Sequence, residues 1–276
     1  MRIGMVHPAL GVEDLRAIFA RAAKAGAEGV EICYPSPGTA TALGQEDHAK
    51  DLAKRSKSSG VGICSLHLGC FRGEPALIGR PAIIERAQQL VRRALATAAE
   101  AGAAMVAVPF FGKNAIELEE ELDRAADALM ELVDSAEQAG VILGVESTLN
   151  FHQMQFLLNR LGDTGDVRIY YNTGAALSRK LDVATGIRDL GPGVIAQVRF
   201  SDVRIAEGQP PDFSVPLGEG NVDFGATAQA LRAVGYDGWI VAHPPPIEEA
   251  TSRKTLAAAK AAVEFARTVL EDAAGE

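Results

Sequence analysis

Hydrophobic positions follow two alternating patterns along the chain, and the junction between the patterns is repeated five times. Each time, an amphipathic helical stretch ends at a glycine and passes directly into a short apolar run rich in Val and Ile. The five junctions read "KAGAEGVEIC", "SSGVGICSL", "EAGAAMVAV", "QAGVILGVE" and "AVGYDGWIV". Glycine at a helix end is typical of the left-handed cap, and the short apolar run is typical of a strand buried on both faces. The pattern predicts alternating helices and buried strands.

Three further apolar runs bring the number of predicted strands to eight. They are "RIGMVH" at the start of the chain, "VRIYYN" from Val167 and "VIAQVRF" from Val194. Helices are predicted roughly over residues 12–25, 45–58, 81–101, 115–139, 151–161, 178–190, 223–234 and 247–271.

Eight β/α units in a chain of 276 residues predict one (β/α)8 TIM barrel, an α/β fold, spanning residues 1–276 as a single domain. A doubly wound sheet is the main alternative. Its nucleotide fingerprint is missing, because "GEGNVDFG" has Asp223 where the third glycine of the motif is required and no strand precedes it directly. A proline- and glycine-rich loop, "EGQPPDFSVPLGEG", follows the seventh predicted strand and is long enough to cover a site.

Composition narrows the possible classes of protein. The chain is 47% hydrophobic and 23% charged, without an apolar run of the roughly 18 residues that cross a bilayer. The N-terminus lacks the features expected of a signal peptide. The three cysteines do not have metal-knuckle spacing, and their odd number argues against a disulfide framework. These features favour a cytoplasmic protein without a membrane partner. A net charge of −9 without a basic cluster argues against nucleic acid as a partner.

Polar side chains stand at the carboxyl ends of seven of the eight predicted strands, where a TIM barrel builds its site. These residues are His7, Glu31, His67, Glu146, Asn172, Arg199, Asp202 and His243. Several of them also have a purely structural interpretation. His7 and His67 could bond loop carbonyls, Glu31 could pair with a neighbouring Arg or Lys, and Asp202 could cap the next turn.

Two charges need a partner or a purpose wherever the fold buries them. Glu146 ends the apolar run "VILGVE", and Arg199 lies within the strand "AQVRFSD". Burying an unpaired carboxylate or guanidinium costs several kcal/mol, on the order of magnitude of a whole protein's stability. We expect Arg199 and Glu146 to lie within salt-bridge or single-water distance of each other.

Five segments resemble the sugar isomerase/epimerase family with a xylose-isomerase-like TIM barrel. They are "GVEI" at 29–32, "GVES" at 144–147, "NTGAAL" at 172–177, "VRFSDVR" at 198–204 and "PLGEGNVDFGATAQALRAVGYDGWIV" at 216–241. The last segment is the most specific, and the resemblance covers nearly the whole chain. The family includes ketose 3-epimerases, hydroxypyruvate isomerases, inosose dehydratases and, more distantly, endonuclease IV.

The resemblance implies a divalent metal bound by a Glu, an Asp, a His and a Glu on strands five to eight, with the two glutamates as the acid/base pair. Glu146 matches the first position, whereas the other three positions hold Asn172, Arg199 and His243. A guanidinium has no acceptor and repels a cation by about 4 kcal/mol per unit charge at about 4 Å. We therefore expect no metal site of the family type. A residual site of Glu146, His243 and Asn172 would suit Mn, Zn or Mg.

The resemblance implies an isomerase- or epimerase-like enzyme that acts on a small keto sugar, polyol or related hydroxy-carbonyl compound. Glu146 and His243 are the expected catalytic pair, and His7, Glu31, His67, Asn172, Arg199 and Asp202 are expected to bind the substrate. A dehydratase or lyase would use the same residues, and a non-catalytic sugar- or metabolite-binding barrel is the other alternative. A homodimer is possible, since dimers are common among the relatives. A three-zinc repair nuclease like endonuclease IV is disfavoured by the five histidines and the acidic charge.

Overall fold

The eight predicted strands are present and form a closed parallel barrel in chain order. The computed structural model of the protein describes residues 1–162, 165–247 and 251–275. The strands are β1 (Arg2–Val6), β2 (Gly29–Cys33), β3 (Gly62–His67), β4 (Met105–Pro109), β5 (Ile142–Glu146), β6 (Val167–Asn172), β7 (Ile195–Phe200) and β8 (Trp239–Ala242). β1 pairs with β8, which closes the sheet. The predicted (β/α)8 TIM barrel is confirmed.

Ten α-helices lie between and after the strands in the described residues. They are α1 (Leu15–Ala25), α2 (Pro37–Ala40), α3 (Glu46–Ser59), α4 (Pro81–Ala101), α5 (Glu119–Ala139), α6 (Phe151–Leu161), α7 (Thr173–Ser178), α8 (Val183–Leu190), α9 (Phe224–Ala233) and α10 (Ser252–Gly275). Short 3-10 turns cover His7–Leu10, Gly69–Gly73 and Gly112–Asn114. Along the part of the chain that the structure describes, no helix is long and apolar enough to cross a membrane.

The helix predicted over 178–190 is observed as α8, which begins five residues later than predicted, and α7 before it was not predicted. α7 ends at Ser178 and α8 begins at Val183, because Lys180 takes a left-handed conformation with φ of 60° between them. The Asp182 side chain then accepts from the Thr185 N–H and starts the second helix. The last predicted helix, over 247–271, corresponds to α10, and its residues 248–250 lie outside the described residues.

The repeated glycine junctions have the conformation that the pattern predicts. Gly102 after α4 and Gly140 after α5 have φ of 76° and 62°, and the N–H of each caps the preceding helix. A residue with a Cβ is strained at such angles, so glycine is required where these helices turn into β4 and β5.

The described chain divides into two compact units. The first unit consists of residues 1–31, 57–62 and 171–276, and the second unit consists of residues 32–56 and 63–170. A single domain over residues 1–276 therefore stays a prediction.

Each unit has its own buried core. In the first unit, Phe224 packs against Phe200 and Phe265 with ring centroids 4.9 and 5.1 Å away. In the second unit, β4 and β5 pair in register from Met105 opposite Ile142 to Pro109 opposite Glu146. This register fixes the backbone that carries Glu146.

Candidate active site

In the second unit, Glu146 at the end of β5 contacts His67 at the end of β3. The His67 Nε2 lies 2.9 Å from the Glu146 Oε2, and both side chains are buried. A fully buried carboxylate needs a hydrogen-bonding partner, and the imidazole supplies one. The structure thus joins the predicted catalytic base to a residue that was predicted separately as a substrate ligand.

The backbone around Glu146 is held closely. Gly144, two residues earlier on the same strand, lies against Met105, and a Cβ at this glycine would fall 2.4 Å from the Met105 Sδ. The Phe110 N–H donates to the Glu146 carbonyl at 2.7 Å. β5 is therefore tightly packed at the end that presents the carboxylate, which favours a precise position for a reacting group.

Tyr34 and His48 form a second polar pair in this unit, which the sequence analysis did not identify. The Tyr34 hydroxyl lies 2.8 Å from the His48 Nε2, and the Tyr34 N–H donates to the His67 carbonyl at 2.9 Å. Burial raises the pKa of Tyr34 and lowers the pKa of His48, in each case favouring the neutral form. Tyr34 directly follows β2, and this position after a strand end is the sequence feature that could have identified it.

In the first unit, Arg199 pairs with Glu31. The Arg199 Nη2 donates to the Glu31 Oε1, and the Gln197 Nε2 donates to the Oε2 of the same carboxylate at 3.1 Å. All three side chains are buried. Gln197 and Arg199 share a face of β7 because their side chains are two residues apart on a strand. The ion pair matches the structural interpretation of Glu31, while contact between Arg199 and Glu146 stays a prediction.

His7 lies at the end of β1, buried within the first unit. Its Nε2 is 3.8 Å from the Glu13 Oε2. Burial lowers the pKa of His7, against the opposing effects of the carboxylates of Glu13 and Glu31. The side chain therefore favours the neutral imidazole.

Asn172 is the N-cap of α7. Its Oδ1 accepts from the Ala175 N–H at 3.0 Å and from the Ser201 hydroxyl at 2.6 Å. Gly174 approaches Ser201 so closely that a Cβ there would fall 2.7 Å from the Ser201 Oγ. These contacts give Asn172 a structural task, and its expected contact with substrate stays a prediction.

Asp202 organises the loop after β7. Its buried carboxylate accepts four backbone N–H groups, from Val203 and Val222 at Oδ1 and from Gly218 and Gly220 at Oδ2, at 2.8 to 3.1 Å. A Cβ at Gly220 would lie 2.2 Å from the Asp202 Oδ1. This geometry explains the block "PLGEGNVD" and favours loop positioning as the role of Asp202.

His243 follows β8 and is half-buried. Its N–H donates to the Phe200 carbonyl at 2.9 Å, which continues the pairing of β7 with β8 by one residue. Its catalytic role stays a prediction.

The sequence and the fold of this chain match those of known proteins. A family model described as a xylose isomerase-like TIM barrel matches residues 19–269. The chain belongs to the xylose isomerase-like TIM barrel family. The resemblance seen in the sequence is thereby confirmed.

Two relatives of this chain are named epimerases. A 2-epi-5-epi-valiolone 7-phosphate 2-epimerase of Actinoplanes sp. is 28% identical over 233 residues, covering 84% of this chain and 82% of the relative. An L-ribulose 3-epimerase of Mesorhizobium japonicum is 26% identical over 236 residues, covering 81% of this chain and 73% of the relative. Both names support the isomerase- or epimerase-like class that the sequence analysis expects.

The fold also matches solved structures of epimerases. A structure of L-ribulose 3-epimerase has a TM-score of 0.77 at 23% identity and covers 99% of this chain and 95% of that chain. A D-psicose 3-epimerase, solved in the presence of D-fructose, has a TM-score of 0.75 at 16% identity, covering 98% and 99%. At these identities the likeness establishes the fold.

The divalent metal that the family implies does not fit the side chains at the four expected positions. Arg199 is a cation bonded to Glu31, and the Asn172 Oδ1 already accepts two hydrogen bonds. Among residues 1–162, 165–247 and 251–275, no group of three His, Cys, Asp or Glu side chains is arranged to hold a metal ion. The residual set of Glu146, His243 and Asn172, and the absence of a tightly bound metal, stay predictions.

Proposed function

We propose that this chain is a sugar isomerase or epimerase that moves a proton at a carbon next to a carbonyl group, with Glu146 as the general base. Family membership and two relatives named as epimerases support the class of reaction. The observation that carries the proposal is the buried Glu146 carboxylate at the end of β5, contacted by the His67 Nε2 at 2.9 Å.

Glu146 suits the work of a base because its position and its contacts are fixed. A general base must meet its proton within hydrogen-bond distance, so a rigid strand end serves better than a loop. His67 donates to Oε2, which orients the carboxylate plane. Removal of a proton next to a carbonyl gives an enediolate, and return of that proton to the other face or the neighbouring carbon completes epimerisation or isomerisation.

We assign the second proton-handling role to His243. Epimerisation requires one group to remove the proton and another to return it on the opposite face. An imidazole exchanges protons near neutral pH, and His243 occupies the strand-eight position at which the family has its second glutamate. The strand-like hydrogen bond from its N–H to Phe200 supports a fixed backbone there.

We assign charge stabilisation to Arg199. The developing negative charge on the substrate oxygen needs a preorganised donor, and a guanidinium held by Glu31 and Gln197 has little freedom to reorient. In this proposal Glu31 acts by positioning Arg199, Asn172 by starting α7 and Asp202 by holding its loop. The proposed reaction then requires no metal of the family type. A small sugar substrate is its only partner.

A non-catalytic sugar-binding barrel is the second candidate. The observation that favours it is the structural use of two of the altered positions, since Arg199 is neutralised by Glu31 and Asn172 caps α7. Such a protein would bind ketoses without exchanging their protons.

Solvent-deuterium exchange after treatment with a chelator tests the proposal. The protein is dialysed against EDTA and incubated in D2O with L-ribulose, D-fructose and inositol derivatives, and deuterium in the sugar is followed by NMR. We expect exchange in at least one ketose without added metal. Exchange that requires Mn²⁺ would contradict the metal-free route, and tight binding without exchange would establish the second candidate instead.

A further inference from the structure

A cleft of about 470 Å³ lies between α4 and α5 in the second unit. Its volume is within the range of small-molecule sites. On each helix the lining positions are three, four and seven residues apart, which is the spacing of one helix face. The lining residues are Gly79, Pro81, Ile84, Glu85, Gln88, Arg124, Asp127, Ala128 and Glu131. None of them belongs to the candidate active site.

Gln88 brings a buried acceptor to this cleft. The residue is only 5% exposed, and its Nε2 donates to the Ala128 carbonyl at 2.9 Å and to the Glu131 Oε2 at 3.0 Å. Both partners only accept hydrogen bonds, so the amide nitrogen must face α5 and the oxygen must face away from them. Oε1 takes no hydrogen bond from the residues that the structure describes. A polar atom of so buried a residue normally has a partner, which indicates a donor that enters the cleft.

The cleft also carries negative charge that the protein does not neutralise. Glu85 on α4 and Glu131 on α5 have no cationic side chain within ion-pair distance in the described part of the chain. Asp127 is already paired, with Arg160 at 2.5 Å. Arg124, the one cation of the lining, directs its Nε to a main-chain carbonyl before α4. The chemistry of the cleft therefore favours a cationic ligand.

The lining distinguishes between kinds of cation. Gln88, Glu85 and Glu131 supply acceptors, and an ammonium group has three donors and no acceptor. Ile84 and Ala128 lie one turn before Gln88 and Glu131 on the two helices, so an apolar strip adjoins the acceptors. Such a strip packs against an alkyl stem, as it does against the methylene groups of a lysine side chain. An inorganic cation would leave this strip unused.

We propose that this cleft binds a linear alkyl amine. Its ammonium group donates to the Gln88 Oε1 and to the carboxylates of Glu85 and Glu131, and its alkyl chain packs on Ile84 and Ala128. The inference is independent of the proposed reaction, because it uses only residues of α4 and α5.

Backbone amide NMR of the unmodified protein locates the site. The probes are n-pentylammonium chloride, 1-pentanol and ammonium chloride, added at constant ionic strength. We expect n-pentylammonium to shift the amides of residues 84–88 and 124–131, and to bind about tenfold or more tightly than the other two probes. Equal binding of 1-pentanol would show that the charge is not read, and equal binding of the ammonium ion would show that the stem is not. Either result would overturn the proposal.

Matched pairs of variants test the acceptors. Gln88→Met removes the buried amide, and Gln138→Met, on the exposed surface of α5, is its control. Glu131→Gln removes a charge of the cleft but can still accept from the amide nitrogen, and the exposed Glu137→Gln is its control. We expect n-pentylammonium to bind about tenfold more weakly to each cleft variant and within about twofold of the unmodified affinity to each control.

General attraction to the acidic surface of α5 is the competing explanation. It predicts that Glu131→Gln and Glu137→Gln weaken binding equally, and that the amide shifts spread along the whole of α5. Either outcome would overturn the proposal. If Gln88→Met does not fold, the pair at positions 131 and 137 decides, because both glutamates are exposed.

Discussion

The guanidinium of Arg199 donates a hydrogen bond to the carboxylate of Glu31 inside the first unit, with 4% and 0% of the two side chains exposed. Gln197 bonds the other carboxylate oxygen at 3.1 Å. The pair joins β7 to β2 across 168 positions of sequence. The pair explains why a buried strand carries an arginine. Glu31 neutralises the guanidinium, and Gln197 holds the other oxygen of the same carboxylate.

Removal of one partner from this pair should strongly destabilise the protein. In Arg199→Met the Glu31 carboxylate stays buried without its cation, so the free energy of unfolding should fall by about 3–5 kcal/mol. The double variant Arg199→Met with Glu31→Gln should recover most of this loss. Urea unfolding of the single and double variants measures the coupling.

An exposed ion pair provides the control. Lys50 and Glu46 form such a pair on α3, and Lys50→Met should change the unfolding midpoint little. If Arg199→Met were no more destabilising than Lys50→Met, the buried pair would not have the importance that its burial implies.

Asp202→Asn should loosen the loop after β7. The substitution replaces an acceptor oxygen by an NH2 group that faces backbone N–H donors, leaving at least one of four donors unsatisfied. We expect a loss of about 1–3 kcal/mol in the free energy of unfolding. Limited proteolysis should detect new cleavage between residues 203 and 222. Asp223→Asn is the control, because asparagine caps α9 as well as aspartate does; equal cleavage of both variants would contradict the role of Asp202.

Gly220→Ala should also destabilise the loop after β7, because residue 220 lies against the Asp202 carboxylate. The added Cβ would fall 2.2 Å from the Asp202 Oδ1 and 2.7 Å from the Val203 carbonyl oxygen, so the loop must shift. Gly225→Ala, within α9, meets its nearest atom at 3.5 Å and should be neutral or stabilising. Thermal unfolding compares the two, and a Gly220→Ala variant as stable as Gly225→Ala would refute the close approach.

The stability of the protein should fall below neutral pH partly because of His7. Burial lowers the pKa of His7 in the folded protein below its unfolded value of about 6.5. Between these two pKa values the unfolded state binds more protons, so this contribution to stability declines as pH falls through about 6.5 toward the folded pKa. His7→Gln removes this contribution.

The measurement for His7 is a series of urea unfolding curves from pH 7.5 to pH 5. Stability of the unmodified protein should decline more than that of His7→Gln over this range. Parallel curves for the two proteins would show that His7 does not have a lowered pKa.

The barrel could be predicted from sequence because its signals are local. The end of α4, the cap at Gly102 and the start of β4 lie within a few residues, and the helix predicted over 81–101 is observed as Pro81–Ala101. The break between α7 and α8 could not be predicted, because a left-handed lysine at residue 180 carries no distinctive pattern.

The candidate residues could be predicted by strand position, but their partners could not. Polar side chains were identified at the ends of seven of the eight strands, because alternation and apolar runs reveal where strands end, although Tyr34 directly after β2 was not among them. The partner of Arg199 is Glu31 on a distant strand, and that of Glu146 is His67. Such pairing depends on strand stagger and rotamers, which local periodicity does not encode. The Tyr34–His48 contact was missed for the same reason.

Glu146 is proposed to remove a proton from a carbon next to a carbonyl, and the exchange rate of Glu146→Gln tests this role most directly. Glutamine keeps the shape of the side chain and can still accept from the His67 Nε2, so fold and sugar binding should be retained. Deuterium exchange into the ketose that the unmodified protein accepts should fall by about 10²–10⁴-fold. The control His152→Gln, on the exposed surface of α6, should exchange at the unmodified rate. Exchange by Glu146→Gln at that same rate would contradict the account.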